Sequence, residues 1–180
     1  APRSSIYVLS DRGSNGIDEN GVRLQQILDP NGWFAIENKR PLELGKRVHV
    51  AGVCDRTQLR LYIDGKLAAR TPGDRERLLT IGRKPPHIGS LFKGLIDEVR
   101  VSNVARYNAD FTPPARHEPD ADTLALYHCD EGAGGVLIDS SSNKRNGRIV
   151  SAKWVMPDGS PIPAAPIGAF ALDFNGATSY

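Results

Sequence analysis

The sequence predicts an all-β chain, folded as a two-sheet antiparallel β-sandwich of the jelly-roll type. Three observations carry this. Short runs of alternating polar and apolar residues recur along most of the chain, each bounded by Gly, Asp, Asn or Pro. Asp64–Gly65 falls between two such runs and reads as a two-residue hairpin turn, because a type I′ turn needs positive φ at both central positions. No stretch shows a long helical period, and only Arg100–Phe111, "RVSNVARYNADF", has room for one short helical turn.

The strand candidates follow in order. Ser5–Gly13 alternates and ends on a polar turn, and "GVRLQQIL", Gly21–Leu28, comes next. "GWFAIEN" (Gly32–Asn38), Arg47–Asp55 and the hairpin Leu59–Ala69 complete the first third, and Leu78–Lys84 is a further run. Gly94–Asn103, "GLIDEVRVSN", reads as one continuous strand. Its alternation puts Leu95, Asp97, Val99 and Val101 on one face and Ile96, Glu98 and Arg100 on the other. An unpaired carboxylate at Asp97 on an apolar face would cost several kcal/mol or more, so a cation, an arginine or backbone amides should hold it. Leu124–Asp130, Gly135–Asp139, Gly147–Val155 and Phe170–Gly176 are the late strands. Asn108–Asp122, rich in Pro and charge, is an ordered connector or a linker, and Pro157–Pro166 is kept from regular pairing by its prolines.

Bulk composition narrows the function. A chain of 180 residues is long enough for one domain with a real core. Its formal net charge of +2 is too balanced for a nucleic-acid binder. No apolar run reaches membrane-spanning length, and the opening "APRSS" fits a processed fragment. Cys54 and Cys129 either form one disulfide, if the domain is secreted, or stay as two free thiols packed in strands. His87 and His117 fall in loops and read as solvated, whereas His49 and His128 fall in strands and read as structural.

Three pieces together resemble the laminin-G-like, concanavalin A-like lectin/glucanase superfamily. Arg47–Ala69 is similar to that family's central hairpin and Phe92–Tyr107 to its closing strand. Leu124–Val155, followed by Phe170–Tyr180, is similar to its opening strands. The order departs from the family's, because opening-type strands come last. Two arrangements follow. In one, residues 1–180 form a single rotated sandwich, with middle and closing strands in 1–107, a connector in 108–122 and opening-type strands in 123–180. In the other, the chain is a fragment across two tandem domains, whose open sheet edges invite pairing into a homodimer.

The chemistry follows from residue types and from this resemblance. Asp139–Gly147, "DSSSNKRNG", is dense in oxygen ligands, and related sandwiches carry calcium near a sheet edge. This makes Asp97, Asp139, Asn143 and Asn146 the expected ligands of a structural Ca²⁺. The competing reading is a polar turn in which Asp139 accepts from its own backbone amides. Catalysis is not expected. The glucanases of the superfamily use carboxylates that share a strand face, whereas Asp97 and Glu98, or Asp130 and Glu131, are adjacent and point to opposite faces. For glycan binding, Ser10–Gly21 offers Asp11, Arg12 and Asn15, and Trp33 offers an aromatic face, although Trp33 and Trp154 in apolar strands also suit a core. The resemblance thus implies a non-catalytic carbohydrate-binding or adhesion module of a larger extracellular, periplasmic or cell-surface protein. Its partner would be a glycan or an extracellular protein, with no nucleic acid and no membrane insertion. The alternative is a structural or protein-interaction module with no sugar ligand.

Overall fold

Every regular element is a β-strand and every ladder is antiparallel among the described residues, in keeping with the expected β-sandwich. The computed structural model describes residues 16–18, 21–28, 32–38, 42–43, 45–55, 58–71, 87–89, 92–163 and 170–175. The expected strands Ser5–Gly13 and Leu78–Lys84 lie outside these residues. The chain divides into two units: Ala1–Ile88 with Asn103–Pro114, and Gly89–Ser102 with Ala115–Tyr180.

The first unit contains two three-stranded meanders. β1 (Gly16–Asp18), β2 (Gly21–Leu28) and β3 (Gly32–Asn38) form one, and β4 (Val50–Cys54), β5 (Leu59–Ile63) and β6 (Lys66–Arg70) form the other. Ile36 of β3 packs with the fully buried Leu59 and Leu61 of β5. Burying each such side chain contributes about 1.5–3 kcal/mol. Tyr62 is also fully buried, because its ring meets Tyr107 and Phe111. β5 is therefore covered on both faces, which an alternating half-exposed strand would not be. The hairpin turn is as the Asp-Gly pair requires: Ile63 pairs with Lys66, and Asp64 and Gly65 have φ of 48° and 74°.

In the second unit, β7 (Lys93–Ile96), β13 (Ala171–Asn175) and β12 (Ala152–Val155) make one sheet, with β13 central. β8 (Val99–Ser102) pairs with β9 (Thr123–Tyr127), and β10 (Val136–Leu137) pairs with β11 (Gly147–Arg148). Cys129, Leu137 and Leu172 form the core, with Tyr127, Ile149, Ala152, Trp154 and Phe174 packed against it. Trp154 is thus a core residue, and its indole N–H donates to the Gly134 carbonyl at 2.9 Å.

Four expectations are corrected. Gly94–Asn103 is not one strand: Glu98 takes a left-handed φ of 53°, and the chain leaves the β13 ladder at Ile96 to join β9 at Val99. Alternation fails across that break, so Leu95 is exposed rather than on a buried face. Arg100–Phe111 holds no helical turn, and Gly147–Val155 is two strands divided at Ser151, whose φ is 56°. His117 is buried, not solvated, whereas His87 is exposed as expected. Of the two cysteine readings, the one without a disulfide holds: Cys54 and Cys129 are not bridged.

Candidate functional site

The residues expected to bind sugar are out of view: Asp11, Arg12 and Asn15 lie outside the described residues, and Trp33 is placed only as part of the β3 backbone. The residues expected to bind calcium are visible. Asp139 is fully buried, and Leu126 N and Ser141 N donate to its Oδ1 at 2.9 and 2.8 Å. Ser141 Oγ and Arg145 N donate to Oδ2 at 2.8 and 2.7 Å. Burial pushes the Asp139 carboxyl up, but these donors outweigh it and hold the group below its ordinary range. Asn146 Oδ1 accepts from Asp139 N at 3.0 Å, and Asn143 turns its NH₂ onto the Thr123 and Leu124 carbonyls, each at 3.1 Å.

This is the donor set of a hydrogen-bonded cap. The acceptor positions of Asp139 face N–H and O–H groups, so it does not fit the six to eight oxygens a calcium shell needs. No group of three or more His, Cys, Asp or Glu side chains suited to a metal occurs among the described residues. The loop instead covers β9: Ser140 N donates to Leu126 O at 2.7 Å, and Arg145 Nη1 donates to Leu124 O at 3.0 Å. Main-chain groups that would form an open sheet edge are thereby used up.

Asp97 sits half-buried in the break between β7 and β8. The carboxylate that organises that break is its neighbour. Glu98 Oε1 meets His128 Nδ1 at 2.8 Å and Arg116 Nη1 at 3.5 Å, while Oε2 accepts from His117 N at 3.0 Å. Arg116 also pairs with Asp130, which raises the guanidinium pKa above its ordinary value. A second left-handed residue, Cys129 at φ 60°, stands beside His128. Burial, and then the negative charges of Asp97, Glu131, Asp130 and Glu98, push its thiol up to about 12, so it is no nucleophile at neutral pH. A strict two-residue alternation hid this cluster. The sequence signal for it was the pair of carboxylates at Asp130–Glu131 after "HC" and at Asp97–Glu98 after Ile96.

The best-furnished surface for a ligand lies at the β5–β6 hairpin. The Tyr107 and Phe111 rings stack 3.6 Å apart and nearly parallel, at 4°. Phe111 also meets Tyr62 and His49 edge-on. The segment is pinned to the hairpin by Phe111 N donating to Gly65 O and Leu67 N to Asp110 Oδ1, both at 2.9 Å, and Lys66 pairs with Asp110 at 3.3 Å. A cleft of about 470 Å³ borders the same hairpin, with Leu42, Ile63 and Leu67 as apolar lining and Arg47, Asp64 and Lys66 as polar lining. Sequence reasoning missed Tyr107 and Phe111 because they fall where the strand pattern gives way to the Pro-rich connector.

Comparison with known proteins gives one family. A family model for the concanavalin A-like lectin/glucanases superfamily matches residues 7–110, more than half of the chain. No curated protein matches, and no solved structure matches. The matched span takes in the β5–β6 hairpin together with the β7 and β8 strands on either side of Glu98. The chain belongs to the concanavalin A-like lectin/glucanases superfamily.

Proposed function

We propose that this chain is a non-catalytic carbohydrate-binding or adhesion module of a larger extracytoplasmic protein, with the β5–β6 hairpin as its binding rim. Family membership supplies the class, and fold alone does not fix the ligand. The observation that carries the reading to a place is the stacked Tyr107–Phe111 pair beside charged side chains. A pyranose offers C–H faces that lie on aromatic or aliphatic surface and hydroxyls that bond to Asp, Lys and Arg, and both kinds of partner occur here together. The non-catalytic reading is supported by the pairing of Glu98 and Asp130, since Arg116 contacts both carboxylates. A hydrolytic pair must instead flank a scissile bond.

The test is a glycan array, with and without calcium, followed by titration of hits against Lys66→Ala and Tyr107→Leu. Trp33→Ala and Asp11→Ala run alongside, for the sugar-binding residues expected from sequence. Saturable binding competed by a simple sugar and weakened at least tenfold by either hairpin variant supports the rim. Hits weakened only by Trp33→Ala or Asp11→Ala move the site. Clean negatives across broad panels favour a protein-interaction module. That second reading has one observation of its own: Val136 and Ile138, on either side of the buried Leu137, are 52% and 50% exposed.

A further inference from the structure

The second unit is assembled from two pieces of chain. Gly89–Ser102 brings β7 and β8, and Ala115–Tyr180 brings β9 to β13. β7 finds its ladder partner in β13, with Ile96 opposite Leu172 and Gly94 opposite Phe174. β8 finds its partner in β9, with Val99 opposite Tyr127 and Val101 opposite Ala125. Among the described strands, none of β9 to β13 pairs with a strand of the first unit. Side chains follow the same division. Glu98 of the first piece holds His128 and Arg116 of the second, and a Cβ at Gly89 would lie 2.4 Å from the Phe174 ring. The family match ends at residue 110, so the strands that complete β7 and β8 lie outside it.

The second piece is joined to the first unit at one point, between Pro114 and Ala115. That crossing reads Thr112-Pro113-Pro114-Ala115. Each proline biases the residue before it to extended backbone, no turn forms over Thr112–Pro114, and the chain bends at Ala115–Arg116, where a hinge would open.

We infer that Ala115–Tyr180 is an exchangeable segment: a second copy of this chain supplies it in trans, laying its β9 and β13 along β8 and β7 of the first copy. Every ladder pair and the whole Glu98 clamp re-form unchanged in the exchanged dimer, so no new interface has to be found. Cis and trans forms differ only in the connector and in the effective concentration that tethering gives, which is in the millimolar range for a short linker. The closed monomer therefore dominates in dilute solution, and exchange grows as chains fold at high concentration.

The experiment co-refolds two full-length chains, one carrying Val101→Cys and the other Ala125→Cys, both in a Cys54→Ser background. Directly opposite positions of an antiparallel pair are close enough for a disulfide. Neither chain can close that pair alone, so a mixed disulfide reports strand exchange. Refolding is compared at about 5 μM and about 500 μM, concentrations chosen to lie well below and near the effective concentration. The expected result is at least tenfold more mixed-disulfide dimer at the higher concentration, with the unaltered chain giving dimer by light scattering after the same treatment. Monomer at both concentrations overturns the inference. So does a dimer that forms no mixed disulfide, since it would use another surface.

Discussion

The β5–β6 hairpin and the β7–β8 break are both places where the chain enters left-handed backbone, and they behave oppositely as sequence. At the hairpin, Asp64 and Gly65 hold φ of 48° and 74°. These are residue types that tolerate the region, set between alternating runs that announce a turn. At the break, the left-handed residue is Glu98 at φ 53°, within a run that has no Gly, Pro or Asn between Leu95 and Val101 to mark a turn. Nothing local compels it. Tertiary partners hold it there: Arg116, His117 and His128, drawn from segments up to 30 residues away. Local turn chemistry is legible in one sequence, whereas backbone strain held by distant partners is not.

The largest expected effect tests the hairpin side of this contrast. A Cβ at Gly65 would lie 1.9 Å from the Phe111 carbonyl oxygen and 2.9 Å from Pro113 Cδ, at a φ that side chains rarely adopt. Gly65→Val should therefore destabilise the first unit by more than about 3 kcal/mol, since a β-branched residue adds backbone strain to a backbone clash. Urea unfolding followed by Tyr and Trp fluorescence measures it. A loss under about 1 kcal/mol would mean that the hairpin is not tied to the Phe111 segment as described.

Next in size is the Asp139 cap. Asp139→Asn keeps one acceptor oxygen but turns an NH₂ toward donors that need an acceptor, at a cost of about 2–3 kcal/mol. The wild-type carboxyl is held below its ordinary range, so the stability it contributes is fully present above the unfolded-state pKa. That stability is lost as pH falls through the folded value, a window that opens below about pH 4. Asp139→Asn should flatten this part of the acid-denaturation profile. Because the carboxylate is satisfied by N–H and O–H donors, millimolar calcium or a chelator should leave the melting temperature unchanged. A rise with calcium would show that the ion displaces the cap.

The break itself gives a smaller and more informative effect. Glu98→Gln retains an acceptor but loses charge-assisted bonds, and should cost about 1–2 kcal/mol. Glu98→Gly also loses the acceptor that glutamine keeps but removes the left-handed penalty of about 1 kcal/mol, so the two variants should lie within about 1 kcal/mol of each other. If Glu98→Gly is clearly the less stable of the two by thermal melting, the clamp matters more than the strain it holds.

Much of the fold was readable from pattern alone. β2 and β3 occupy the segments that alternation marked, and "LALYHCD" does lie beside the closing strand, as β9 against β8. What escaped shares one cause, that the deciding interactions are long-range. The double coverage of Tyr62 depends on rings 45 and 49 residues onward. The burial of His117 depends on a loop folding over Glu98. At Asp139 the sequence supplied both readings, an ion ligand or a capping acid. The N–H and O–H donors on both Asp139 oxygens, with the Asn143 NH₂ turned toward β9, favour the capping acid.

The smallest expected effect on stability bears most directly on function. Lys66 and Asp110 form an ion pair whose side chains are 75% and 51% exposed. Pairs of this kind contribute at most about 0.5–1 kcal/mol and weaken with salt. Lys66→Ala should therefore leave the melting curve nearly unchanged. On the proposed rim, however, the ammonium is a hydrogen-bond donor beside the Tyr107–Phe111 stack, so the same substitution should weaken glycan binding at least tenfold. Stability and binding are then separated at one residue: the hairpin holds its shape through Gly65 and the backbone bonds of Phe111, and presents Lys66 to solvent. If Lys66→Ala lowers the melting temperature substantially, the pair belongs to the hairpin's architecture and is a poor probe of the rim. If it changes neither stability nor glycan affinity, the β5–β6 hairpin is not where the chain binds.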